Sequence, residues 1–115
     1  MNIEGIVVLS KNYQGAAAKV TSFCDKELMI IPHSNGQWII QSVPKSAKDL
    51  YSQKCPMPKA WGGLKDKKLS NASGIKDMIF CHKGLFMCIL KGTKSEAIHV
   101  ANKIDPAEDI DVINT

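Results

Sequence analysis

WIIQSVP at residues 38–44, PMPKAWGGLKDKKLSNASGI at 56–75 and MIFCHKGL at 78–85 decide the fold of this chain. The first segment alternates. Trp38, Ile40 and Ser42 share one face of a strand, and Ile39, Gln41 and Val43 the other. Pro44 ends that strand, because proline cannot donate to a ladder. The middle segment is too apolar for a free linker, since Trp61 and Leu64 need burial. Asp66 fits as the N-cap of a short helix through Ser73, with Gly74 stopping it in the left-handed conformation. Leu69 and Ala72 would face inward. The last segment opens a hairpin of strands 78–82 and 85–90, with Lys83-Gly84 as its turn.

The rest of the chain extends this pattern in both directions. Residues 3–9 form a β-branched strand, and 10–21 are either a helical turn or a loop. A strand at 27–31 joins the Trp38 strand through Asn35-Gly36, a strong hairpin signal because both residues accept positive φ. Residues 45–54 are polar and read as a loop with a helical turn. Thr93 and Glu96 form a capping box opening a helix to about Lys103, with Ala97, Ile98, Ala101 and Ile104 as its buried stripe. Pro106 stops it, the stretch 105–111 is acidic, and 110–113 either adds an edge strand or frays. The fold class is α+β. A mainly antiparallel sheet of two hairpins and an N-terminal strand carries a short helix and a C-terminal helix on one face, in a single domain over residues 1–115.

Charge narrows the function classes. The formal net charge is +4, and all 15 basic residues are lysine. Without arginine, bidentate reading of base edges is disfavoured, whereas lysine still neutralises phosphates as a point charge. Cys24, Cys55, Cys81 and Cys88 show neither Cys-x-x-Cys pairing nor zinc-knuckle spacing. No apolar run approaches the ~20 residues that cross a bilayer. An intracellular, cytoplasmic protein with reduced thiols and no membrane partner is expected.

Each chemistry-bearing cluster has a plainer alternative. Cys81-His82 pairs a nucleophile with a base in sequence, but neighbours on a strand point to opposite faces. With a two-residue turn Cys81 lies opposite Phe86 and diagonal to Cys88, roughly 7 Å away and beyond a disulfide without movement. Buried cysteines acting as small hydrophobes are the simpler reading. His82 borders the hairpin mouth, where side chains reach ligands, or is a hydrogen-bonded structural residue. His33 should be exposed and His99 should lie on the polar side of its helix. No histidine pair has a metal-binding spacing, so no metal site is expected within the chain. Gly92-Thr93-Lys94, with Lys91, could bind a phosphate at a helix N-terminus, or simply cap the helix. The P-loop frame is missing. Lys59, Lys65, Lys67 and Lys68 surround Trp61 either as a strand-tracking groove or as a solvated face over a buried tryptophan.

These residues resemble the C-terminal region of the melanocyte-proliferating-gene exonuclease family, within the DHH superfamily of metal-dependent phosphoesterases. The resemblance rests on Gly36-x-Trp38, Gln41-Ser42-Val43-Pro44, Pro58, Ala60-Trp61-x-Gly63-Leu64-x-Asp66, Leu69-Ser70, Ser73-Gly74-Ile75, Ile79-Phe80-x-His82, and the helix bearing Thr93, Glu96 and Ala97. It covers about residues 27–104. It implies catalytic metals, manganese by expectation, held by Asp and His motifs of an N-terminal domain with no counterpart in these 115 residues. This chain would then be a non-catalytic accessory part holding no cofactor itself. It would contact RNA or a phosphorylated ligand through His82, Lys91, Gly92, Thr93 and Lys94, and partner a separate or upstream catalytic domain. Such family members carry a Gly-Phe-Ile-Gly-Gly-like stretch after the histidine, and the glycine pair is absent here. The alternative is a protein-interaction or homodimerising module built on exposed strand edges. An enzyme in its own right is a third class.

Overall fold

A computed structural model describes residues 6–10, 27–46 and 49–104. The stretch 10–21 (residue 10 apart), Pro106, the acidic 105–111 stretch, the strand at 110–113 and Cys24 lie outside the described residues.

The main sheet has five strands in the order β1-β2-β3-β7-β6. They are β1 (Ile6–Val8), β2 (Leu28–His33), β3 (Gln37–Ser42), β6 (Met78–Cys81) and β7 (Met87–Lys91). Every pairing is antiparallel except β1 with β2. Among the described residues, two helices, α1 (Asp66–Ser73) and α2 (Lys94–Ile104), complete the expected α+β arrangement. The β2–β3 turn is built by Asn35 at φ 60° and Gly36 at φ 73°. That double positive φ is what Asn-Gly supplies and most residues resist.

The period-2 alternation read from Trp38 to Val43 gives the sheet two different faces. Leu28, Ile30, Ile40, Cys88, Leu90, Met78 and Cys81 pack with Leu69 of α1 and with Ala97, Val100, Ala101 and Ile104 of α2 in the main core. Met29, Ile31 and Val43 form a second cluster on the other face, flanked by Val7, Leu9 and Ile39. Both described helices therefore serve one core. In α2 it is Val100, rather than Ile98, that is fully buried; Ile98 is half-buried.

Several local expectations need correction. Residues 45–54 contain a small antiparallel sheet, β4 (Pro44–Ser46) with β5 (Asp49–Gln53), rather than a helical turn. Pro44 ends β3 but opens β4, a position where its missing N–H costs no ladder bond. The Lys54 N–H donates to the Val43 carbonyl at 3.0 Å, and the Cys55 N–H to Ser42 Oγ at 3.0 Å, so the returning strand is tied to the end of β3. Asp66 does not cap α1. Lys65 occupies the N-cap without a side-chain bond, and Asp66 itself takes φ 51°. Ala72 is exposed, so Leu69 alone anchors this helix in the core. Gly74 ends it at φ 72°, as expected, with its N–H on the Ser70 carbonyl.

The β6–β7 hairpin is wider than a two-residue turn. His82 donates its N–H to the Met87 carbonyl, so residues 83–86 form the loop. The glycine is not the residue that bends it: Leu85 holds the left-handed conformation at φ 64°. Cys81 consequently sits directly opposite Cys88. The Cys81 N–H and carbonyl bond outward, to the Leu64 carbonyl and the Gly63 N–H, each at 3.0 Å. The two cysteines are thus a non-hydrogen-bonded pair, whose Cα atoms typically stand about 4.5 Å apart, within disulfide reach. Neither is in a disulfide.

Candidate functional site

The block at residues 56–64 buttresses the β6–β7 loop. Trp61 is buried in a single 3-10 turn (Lys59–Trp61), and Leu64 is half-buried against the main core. The Met57 N–H donates to the Leu85 carbonyl at 2.7 Å, and the Gly63 N–H reaches the Cys81 carbonyl. A Cβ at Gly62 would come within 3.0 Å of Leu85 Cδ2, so glycine there lets the turn approach the loop. The groove imagined around Trp61 lacks its aromatic: Lys59, Lys65, Lys67 and Lys68 are exposed, but the indole is inside.

His82 is held by the loop it borders. The Gly84 N–H donates to His82 Nδ1 at 2.9 Å, so a neutral ring carries its proton on Nε2 and keeps one N–H to offer. The ring packs on Phe86, centroid to centroid 4.3 Å, and meets Phe80 edge-on at 6.2 Å. All three rings are half-buried.

Strand register assigns the neighbours of this cluster. Residues opposite one another in a ladder share a face. Phe80 stands opposite Ile89 and Ile89 opposite Ile39; on its other side Phe80 bridges to Lys65. Lys91 pairs with Gln37 on the same side. His82 and Lys91 therefore project from one face of the sheet, separated by roughly 13 Å along β7 at about 3.3 Å per residue. That face is opposite the two described helices.

Gly92, Thr93 and Lys94 lie at the Lys91 end, away from His82. The capping box forms as the sequence suggests. The Thr93 N–H donates to Glu96 Oε1 at 2.9 Å, the Thr93 hydroxyl to the same oxygen at 3.1 Å, and the Glu96 N–H to Thr93 Oγ1 at 3.1 Å. These bonds hold the Glu96 carboxyl below the usual carboxylate range. The site's own carboxylate thus occupies the Thr93 N–H. Gly92 leaves room for it, since a Cβ there would fall 2.7 Å from Glu96 Oε1. The turn is fixed from behind by Trp38, whose indole N–H donates to the Gly92 carbonyl at 3.1 Å.

The thiols are electrostatically quiet. Burial pushes the Cys81 thiol up to about 11, and burial, then the neighbouring Cys81, pushes Cys88 higher still. A protonated, fully buried sulfur is a poor nucleophile. His33 and His99 are exposed, as expected. Among the described residues, no three His, Cys, Asp or Glu side chains gather in a group that could hold a metal ion, and no helix is long and apolar enough to cross a membrane.

Phe80 and Phe86 did not stand out in the sequence as ring neighbours of His82, nor Lys65 as a neighbour of Phe80. The signal present was Phe-x-His followed by a second phenylalanine, but the correct loop length is needed to bring the rings together.

An α+β sheet with both described helices on one face and a buttressed hairpin loop bearing a histidine is the class of domain defined so far. The sequence matches the MYG1_exonuc model, an uncharacterised protein family (UPF0160), over residues 8–104, and the chain belongs to that family. A MYG1 protein of Chlamydia pneumoniae is 39% identical over 59 residues, covering 51% of this chain and 20% of that protein. The MYG1 exonucleases of mouse and human are each 44% identical over 52 residues, covering 45% of this chain and 13% and 14% of those proteins. The matched part of the chain thus spans a fifth or less of the length of these relatives. No solved structure matches.

Proposed function

We propose that this chain is a non-catalytic, substrate-contacting part of a DHH-type metal-dependent phosphoesterase system acting on RNA in the cytoplasm. The observation that carries this reading is a family match over residues 8–104 set against relatives, some named exonucleases, of which the matched stretch is only 13–24%. Hydrolysis then belongs to a separate or upstream domain holding the metal ions, with manganese the expected choice. The role of this chain is to hold substrate.

His82 and Lys91 supply the contact on the sheet face, with one ring N–H donor and one cation. Lys94 adds charge at the rim. Thr93 offers its backbone N–H to a phosphate only when the Glu96 carboxylate moves aside, while the Gly92 N–H is already taken by the Gly36 carbonyl at 3.0 Å. Lysine contacts without arginine favour a contact that follows the phosphate backbone rather than base identity.

The test is binding of a labelled RNA oligomer across a salt series. Binding should weaken with rising salt, with a log–log slope of about −0.7 for each phosphate neutralised on a single strand. Lys91→Glu should weaken it, with a smaller effect from Lys94→Glu. The isolated chain with manganese should leave the RNA intact. Absence of binding at low salt overturns the reading, as does manganese-dependent cleavage abolished by His82→Ala. A concentration-dependent dimer in light scattering, with no RNA binding, would instead favour the interaction-module alternative.

A further inference from the structure

We infer that the sheet face formed by β6 and β7 is a base-stacking platform for single-stranded nucleic acid. Phe80, His82 and Phe86 are its aromatic floor, and Lys65 and Lys91 its electrostatic margins. This rests on the nucleic-acid reading above and specifies how the strand is held.

Three features of this face favour that occupant. First, its aromatic side chains are half-buried rather than enclosed. Phe80, His82 and Phe86 are all partly open, in contrast with the fully buried Met78, Cys81 and Cys88 on the opposite side of the same strands. Both described helices pack on that opposite side. Second, the rings are mutually braced. His82 lies against Phe86 at 4.3 Å and edge-on to Phe80 at 6.2 Å, while the Gly84 N–H fixes the imidazole. Little side-chain freedom remains to be lost on binding. Third, lysines mark two edges of this face. Lys65 flanks Phe80 across the bridge, and Lys91 closes the other end of β7. The paired positions of this face over β3, β7 and β6 carry glutamines, aliphatic residues, rings and lysines; one acidic residue, Asp77, continues the ladder beyond Met78, its carbonyl accepting the Lys91 N–H at 3.0 Å.

A polyanion with flat apolar bases matches this combination better than a protein partner does. Aromatic stacking tolerates any base, because every base has a π face, and lysine point charges follow a backbone without reading sequence. Protein–protein interface cores are depleted in lysine, whereas lysine marks two edges of this face.

The experiment compares, on the intact chain, a fluorescein-labelled uridine 12-mer with an abasic ribose-phosphate 12-mer of equal charge. Stacking predicts that the uridine strand binds at least about five-fold more tightly. Phe86→Ala should lose about five-fold or more on the uridine strand and leave the abasic strand unchanged, whereas Phe86→Trp should retain binding. Lys65→Glu, at an exposed position that does not threaten folding, should weaken both strands. Equal affinity for the two oligomers overturns the platform while leaving a phosphate-only contact intact. Failure of both to bind at low salt overturns the platform together with the reading beneath it. If Phe86→Ala changes only self-association in light scattering, the face is a protein interface and the inference is wrong.

Discussion

The loop that presents His82 and Phe86 depends on one residue in an unfavourable conformation, and replacing it gives a sign-specific outcome. Leu85 has φ 64°, in the region that L side chains avoid because Cβ crowds the backbone. It is held there by hydrogen bonds at both backbone atoms. Its N–H reaches the His82 carbonyl at 2.9 Å, and its carbonyl accepts from Met57 at 2.7 Å. Its side chain is half-buried beside Gly62 and packs against the main core. Leu85→Ala keeps the strained backbone and loses part of that packing, a cost of about 1–2 kcal/mol for a half-buried leucine. Leu85→Gly loses slightly more packing but releases roughly 1–2 kcal/mol of left-handed strain. Glycine should therefore be the more stable of the two by about 1 kcal/mol, the reverse of the usual order. Urea denaturation followed by tryptophan fluorescence resolves this. With an m-value of ~2 kcal/mol/M, the glycine variant's midpoint should lie about 0.5 M above the alanine variant's. An alanine variant equal to or more stable than glycine would refute both the left-handed assignment and the loop built on it.

Leu69→Ala should cost about 2–5 kcal/mol, because Leu69 is fully buried and is the one core residue of α1; a midpoint shift below ~0.5 M urea would contradict that role. The buried thiols should make alkaline pH destabilising. Their folded values lie above the ordinary value of 9.0, so their contribution is intact below pH 9 and is lost as pH rises through about 11 for Cys81. At pH 8 a thiol reagent should leave Cys81 and Cys88 unmodified until the protein is unfolded, and rapid labelling of the native chain would refute their burial. Glu96 behaves in the opposite sense. Its lowered value means that its stabilising contribution is present above the ordinary carboxylate range and disappears as pH falls through the folded value. The thermal-midpoint gap between the native chain and Glu96→Gln should therefore narrow in acid, and a gap independent of pH would count against the capping box.

Local chemistry made much of the fold legible. Alternation from Trp38 to Val43 assigned both sheet faces correctly, because side-chain period follows directly from the extended backbone. Asn35-Gly36, Gly74 and Thr93-x-x-Glu96 each carry a conformation or hydrogen bond that few other residues supply, and each performs that task here. The failures occurred where distant residues decide. Residues 45–54 become a strand pair through ties to the end of β3, which no local propensity announces.

The candidate face illustrates the division most clearly. The amino-acid sequence by itself determined its ingredients: lysine without arginine, a histidine beside a hairpin, and phenylalanines within a few positions. It also determined the family, because motif order survives without coordinates. Only the tertiary structure decided which ingredients meet. Lys83-Gly84 suggests a two-residue turn, yet the bend falls on Leu85, and pairing shifts so that Cys81 faces Cys88. Long-range contacts with Met57 and Gly62 hold that bend in place. Their combined effect sustains a backbone conformation that leucine alone would not choose, and with it the meeting of His82 and Phe86.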